Sequence, residues 1–260
     1  MLISRIHNAP DGPLVVQPIS RTGIVLSVVI PTFREKDNIG PFLSALCESL
    51  DPALAGRYEI IVVDDDSPDG TLEAALQIAN SHPQIRLTKR RGKHELAISV
   101  IRGWQAATGT ILATINADFQ HPPALIAEMW SRAHDSDLVV ASRYCAGGGV
   151  GDWPLRRRAF ACGARFLGIV MLPAIFRRVS DPLSGCFMFR RDVLVGAEMN
   201  PIGYKSLVEM LVHGRIITIS ECPYSMRKRR AGSSKATFLK SLEYIVQLCR
   251  LRATLEKAIH

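Results

Sequence analysis

The chain has 260 residues, 47% hydrophobic and 22% charged, with a mean hydropathy of +0.12, which suits one substantial core and excludes a disordered or fibrous chain. Its longest uncharged apolar run, Phe166–Phe176, has eleven residues, is closed by Arg165 and Arg177 and is interrupted by Pro173, short of the about 20 residues that a membrane-spanning helix needs. The net charge of +8 is uneven: residues 1–141 hold 12 Lys and Arg against 16 Asp and Glu, and residues 142–260 hold 20 against 8.

The basic second half points to an anionic partner: nucleic acid, the phosphates of a small substrate, or an anionic membrane surface. No nucleic-acid partner is expected, because recognition modules are missing and the basic runs lack interleaved aromatics. The first residues carry Arg5, His7, Pro10, Asp11 and Pro13 with no apolar stretch, so no secretory leader is read and the protein is expected to face the cytoplasm. Cysteines 47, 145, 162, 186, 222 and 249 form no Cys-x-x-Cys pair, and buried free thiols are expected rather than a zinc site or disulfides.

Residues 1–23 are rich in Pro, Gly, Asn and Ser and read as a flexible N-terminal arm. The apolar run Ile24–Ile30, halted by Pro31, predicts a buried strand, and Asp37 and Asn38 open a helix to about Leu50. A strand at Glu59–Val63 runs into Asp64, Asp65 and Asp66; Gly70 and Thr71 start the next helix, with Asp69 as its cap. Then come a strand at Ile85–Thr88, a helix at Ala97–Thr108, a strand at Ile111–Ile115, a helix after Pro122 and Pro123, and a strand at Leu138–Ala141. Apolar strands alternating with amphipathic helices predict an α/β fold with a mostly parallel sheet covered on both faces. Beyond Ser142 a Gly-rich turn and a basic helix lead to mixed elements: helices at Val193–Met199 and Ser206–Val212, a strand at Ile216–Ile219 and a closing amphipathic helix from Phe238.

Ligands of open α/β sheets bind beyond the carboxyl ends of the strands. Here two such ends are polar: Asp64, Asp65 and Asp66 at one, Asn116, Asp118 and Gln120 at the other. Clustered carboxylates at such an edge call for a metal, an amine or hydrogen-bond donors, and hard oxygen ligands suit Mg²⁺ or Mn²⁺ shared with phosphate oxygens.

The segments 27–35 (SVVIPTFRE), 59–71 (EIIVVDDDSPDGT) and 116–123 (NADFQHPP) resemble the nucleotide-sugar-binding half of inverting family 2 glycosyltransferases with the Rossmann-like GT-A fold. Segments 142–149 (SRYCAGGG), 181–191 (DPLSGCFMFRR), 203–211 (GYKSLVEML) and 229–235 (RRAGSSK) are similar to the dolichol- or polyprenyl-phosphate mannose synthase branch. The resemblance implies a glycosyltransferase domain over 24–240, with a nucleotide-sugar-binding half at 24–142 and an acceptor-side half at 143–240, then a C-terminal amphipathic helix at 241–260.

The resemblance further implies that Pro31, Phe33, Glu35, Asp64 and Asp65, with Ala117, contact the nucleotide, and that Asn116, Asp118 and Gln120 bind Mg²⁺ or Mn²⁺ and the diphosphate. Arg143, Arg157, Arg229, Ser234 and Lys235 would grip donor and acceptor phosphates, with Asp118, Arg143 and Arg229 closest to the chemistry. The implied reaction moves a hexose, first of all mannose, from GDP-mannose to dolichyl or polyprenyl phosphate with inversion, peripherally on the cytoplasmic face of a membrane and with an integral-membrane protein as a possible partner. UDP-glucose as donor, and a weakly active or non-catalytic subunit, stand as alternatives. The sequence departs from the family pattern in three places: Asn116 stands where Asp is usual, 94–99 reads HELAIS instead of a glycine-rich segment, and Asp66 stands where Gly or Asn is frequent.

Overall fold

The structure, a computed structural model, describes residues 5–18, 23–232 and 238–259. In chain order the elements are β1 (Ile6–Asn8), β2 (Leu14–Val15), β3 (Leu26–Thr32), α1 (Lys36–Leu54), β4 (Tyr58–Asp64), α2 (Thr71–Ala79), β5 (Ile85–Lys89), α3 (Leu96–Ala106), β6 (Ile111–Thr114), α4 (Leu125–Trp130) and β7 (Leu138–Ser142). They are followed by α5 (Leu155–Met171), α6 (Pro173–Phe176), β8 (Phe187–Arg190), β9 (Glu198–Met199), α7 (Ser206–His213), β10 (Ile219–Pro223) and α8 (Phe238–Ile259).

Successive side chains of a strand point to opposite faces, so a strand apolar throughout must be covered twice. Leu26, Val28 and Ile30 of β3 and Ile60 and Val62 of β4 pack with α1, α2 and α4, while Val29, Ile61 and Val63 pack on the other side with α3, α7 and α8. The eight-stranded sheet runs β1-β5-β4-β3-β6-β8-β7-β10. All pairs are parallel except those of β8, which lies antiparallel between β6 and β7.

Gly103 lets α3 lie close on the sheet: a Cβ there would lie 2.3 Å from Val29 Cγ1. Gly103→Ala is therefore expected to destabilise the fold by about 1–3 kcal/mol through overpacking, measured as a lower denaturation midpoint.

Four sequence expectations change. The N-terminal arm is not loose where it is described: β1 pairs with β5 as an edge strand and β2 with β9. Pro31 does not halt β3: it pairs in register with Val63 of β4, and the named register with β6 ends at Val29 opposite Thr114, so Pro31 lies at the end of that flank. Val193–Met199 is not a helix; a short 3-10 turn at Arg191–Leu194 ends before Gly196 at φ +77°, and Glu198–Met199 joins β2. The strand expected at Ile216–Ile219 begins only at Ile219, since Asp137 Oδ2 accepts the N–H groups of Ile217 (2.8 Å) and Thr218 (2.9 Å).

Candidate active site

A cavity of about 580 Å³ lies at the carboxyl ends of β3, β4 and β6 and is closed from the other side by residues between Arg143 and Tyr244. Pro31, Phe33, Glu35, Asp65, Asn116, Ala117, Asp118, Gln120, Arg143, Arg157 and Arg229 all line it. Asp64 does not. It is fully buried, and its carboxylate accepts from Thr32 Oγ1 (3.0 Å), Ser67 N (2.8 Å) and Ser67 Oγ (2.6 Å). Asp64 therefore shapes the turn, and of the three consecutive acids Asp65 is the one that lines the cavity. Ser234 and Lys235 lie outside the described residues.

Asp66, at φ +55°, lets the chain turn sharply after β4 and pairs with Lys89 at 2.6 Å. Asp65 faces Arg90 Nη2 and stands 3.7 Å from His94 Nδ1. Burial pushes its carboxyl up to about 6, against the pull of Arg90 and His94.

At the end of β6, Phe119 takes φ +60°, and Gln120 N donates to Asp118 Oδ1 at 3.0 Å. Arg229 then joins two strand ends, with Nη2 at 2.7 Å from Asp118 Oδ2 and Nη1 at 3.3 Å from Glu35 Oε1. With its amide oriented to satisfy both neighbours, Gln120 donates to Asp118 Oδ2 and accepts from Arg157 Nη2, each at 3.3 Å.

The basic wall comes from distant sequence. Arg143 is held by Asp181 in a two-pronged pair, Nε to Oδ2 and Nη2 to Oδ1, both 2.7 Å, with the Asp181 side chain 1% exposed. Burial opposes its charge, but Asp181 keeps the guanidinium well above its ordinary value. Arg157 packs over the Trp153 ring at 4.1 Å, and Arg143 lies 5.1 Å from the same ring. Burial lowers the Arg157 pKa, and the charges of Arg143 and Arg229 lower it further. Those two charges act on Arg157 because the three arginines converge, which is the electrostatics of an anion site.

Three residues here were not singled out from sequence. Asp181 orients Arg143; Lys205 is half-buried and donates to Leu183 O at 3.1 Å; Tyr224 Oη lies 2.9 Å from His121 Nε2. Burial, then Arg143, pushes Lys205 down to about 8 and His121 down to about 3, so His121 is a neutral floor residue. Asp181 and Lys205 lie inside the segments 181–191 and 203–211, but only the fold brings them to Arg143.

The metal expectation rests on one carboxylate. Among the described residues no group of three His, Cys, Asp or Glu side chains could hold an ion. Asn116 Oδ1 is nevertheless buried without a hydrogen-bond partner among them, an acceptor oxygen in the cavity wall near Asp118. This donor set fits a hard divalent cation that takes much of its coordination from substrate phosphates.

A family model described as glycosyl transferase family 2 matches residues 27–196. The chain belongs to that family. It is 40% identical over 230 residues to dolichol-phosphate mannosyltransferase of Pyrococcus furiosus, covering 87% of this chain and 63% of the relative. It is 31% identical over 237 residues to the Saccharomyces cerevisiae protein of the same description, covering 88% and 87%. The chain thus spans less than two thirds of the length of the Pyrococcus relative.

Among solved structures, glucosyl-3-phosphoglycerate synthase from Mycobacterium tuberculosis with Mn²⁺, UDP-glucose and phosphoglyceric acid matches at TM-score 0.65 and 22% identity, covering 89% of this chain and 80% of that one. The same enzyme with Mg²⁺ and UDP matches at TM-score 0.65 and 19% identity, covering 93% and 88%. At these identities the match shows the GT-A fold. This family 2 chain has six free cysteines; Cys47, Cys186 and Cys222 are buried as expected, but Cys162 and Cys249 are exposed on α5 and α8.

Proposed function

We propose that this glycosyltransferase moves a hexose, mannose first of all, from a nucleotide sugar to dolichyl or polyprenyl phosphate. The observation that carries the reading is the convergence of Arg143, Arg157 and Arg229 on a cavity whose other wall is built of strand-end acids. The descriptions of the Pyrococcus and Saccharomyces relatives supply the substrate class.

In this reading Phe33 and Asp65 take the base, and Asp118, Asn116 and Gln120 would hold Mg²⁺ or Mn²⁺, whose charge stabilises a departing nucleoside diphosphate. The arginines hold the phosphates of donor and acceptor and orient an acceptor oxygen in line with the anomeric carbon. A phosphate oxygen is already anionic near neutral pH, so the reaction needs no strong general base, and neutral His121 need not act as one. A single displacement inverts the anomeric centre. The test is label transfer from GDP-mannose and, separately, UDP-glucose to a short polyprenyl phosphate. Label entering the lipid phase from GDP-mannose is expected; label only from UDP-glucose makes the chain a glucosyltransferase, and none from either makes it a binding subunit.

Because Asp65 ionises only above about 6, its carboxylate accepts a base N–H at pH 7 but is protonated at pH 5. Nucleotide affinity is therefore expected to fall as pH drops through 6, and Asp65→Asn to flatten that dependence, both readable by calorimetry.

The lipid reading has a surface to match. Among the described residues no helix is long and apolar enough to cross a membrane. Yet α5, of which only Gly168 is buried, exposes Leu155 (81%), Phe160 (55%), Phe166 (68%) and Val170 (56%), and α8, packed beside it, exposes Leu242, Ile245 and Val246. The apolar run 166–176 divides at Pro173: Leu172, Ile175 and Phe176 are buried, while Phe166 and Val170 face out. Such a face, beside Arg156 and Arg158, suits a bilayer with anionic headgroups or an integral-membrane partner. Phe166→Ser with Val170→Ser, neither of which lines the cavity, is expected to weaken sedimentation with anionic vesicles about tenfold and to leave nucleotide binding unchanged.

A further inference from the structure

His94 stands in the segment where this chain departs from the family pattern, and it covers the face of Phe33. The two ring centroids are 4.3 Å apart with planes at 30°, and His94 Nδ1 points toward Asp65 Oδ2 at 3.7 Å. A flat ring stacked on an aromatic face, with an edge nitrogen toward a carboxylate, is also how a nucleobase is gripped by stacking and by its hydrogen-bonding edge. Phe33, His94 and Asp65 all line the cavity.

Resting on the donor-site reading above, we infer that His94 is an internal competitor for the nucleobase: its imidazole holds the layer between Phe33 and the edge of Asp65 that the base of a nucleoside diphosphate takes. The backbone around His94 is tied down. Arg90 Nη2 binds Lys93 O, Lys93 Nζ pairs with Glu95 Oε1 at 2.5 Å, and Ala97 N donates to Gly203 O at 3.1 Å. The side chain itself is about half exposed. Release therefore needs only a side-chain rotation, which is fast for exposed residues, and no opening of the chain.

A competitor that holds the binding layer for part of the time lowers every base's apparent affinity by the same factor, the fraction of time the layer is open. Ranking among bases stays with Asp65, and ligands without a base escape the effect. The test is calorimetric titration of GDP, UDP and inorganic pyrophosphate, each with Mn²⁺, into the full chain and into His94→Ala and His94→Phe.

His94→Ala is expected to bind GDP and UDP about three- to tenfold tighter, by a common factor, with pyrophosphate unchanged. His94→Phe, which keeps a ring on Phe33, is expected to bring no such gain. In parallel, the His94 ring protons of the wild type should lose the ring-current shift of Phe33 on adding GDP. Weaker nucleotide binding by His94→Ala would make His94 a base contact and overturn the inference, as would unchanged binding or an equal gain for pyrophosphate. If the wild type binds neither GDP nor UDP, the donor-site reading itself fails, and the inference falls with it.

Discussion

Asp118→Asn is expected to lower hexose transfer at least about a hundredfold while leaving the protein folded. The amide keeps an oxygen for Gln120 N but removes the charge that faces Arg229 Nη2 at 2.7 Å and the one carboxylate of the Asn116, Asp118 and Gln120 set. Arg229 retains Glu35 Oε1 at 3.3 Å, so the thermal midpoint should move little. Asn116→Asp supplies a second carboxylate beside the first, and it is expected to lower the Mn²⁺ concentration needed for half-maximal transfer, because an amide oxygen is the poorer ligand for a hard cation. Transfer rates across a Mn²⁺ series check both variants; full activity in Asp118→Asn would remove Asp118 from the reacting centre.

Asp181→Ala is expected to destabilise the fold by about 3–5 kcal/mol, since it leaves the buried guanidinium of Arg143 without its two-pronged partner. A midpoint drop of about 10 °C would report it in a chain of this size. The double variant Arg143→Met with Asp181→Ala replaces the pair by apolar groups and should recover most of that stability. It should recover none of the transfer, because the anion wall loses Arg143. Stability returning without activity would separate the two parts proposed for the pair, positioning by Asp181 and phosphate contact by Arg143.

The sheet was legible because β3, β4, β6 and β7 are apolar along their length, a pattern that only a doubly covered strand tolerates. The four residues of β8 escaped, since so short a run carries no period and its place between β6 and β7 depends on tertiary pairing. At the acidic edge, Asp64, Asp65 and Asp66 are equivalent as letters. The turn after β4 distinguishes them, directing Asp64 inward to Ser67, Asp65 to the cavity and Asp66 outward to Lys89. Glu209 reads as a possible surface acid on an amphipathic helix, yet it is fully buried. Its partners Gln247 and Arg250, each at 3.0 Å, come from α8, and nothing local announces them. His94 shows the converse: the unusual segment was visible, but its contact with Phe33 needed coordinates.

In the proposed reaction one cavity, lined by arginines and by Asp118, carries out a single in-line displacement by a lipid-phosphate oxygen with no covalent glycosyl intermediate on the protein. The most direct test is the anomeric configuration of the lipid-linked product formed from GDP-α-mannose, read from the one-bond C1–H1 coupling in its NMR spectrum. A β-linked mannosyl phosphate is the predicted result. An α-linked product would mean net retention, by two successive displacements or by same-face attack, and would contradict a single in-line displacement.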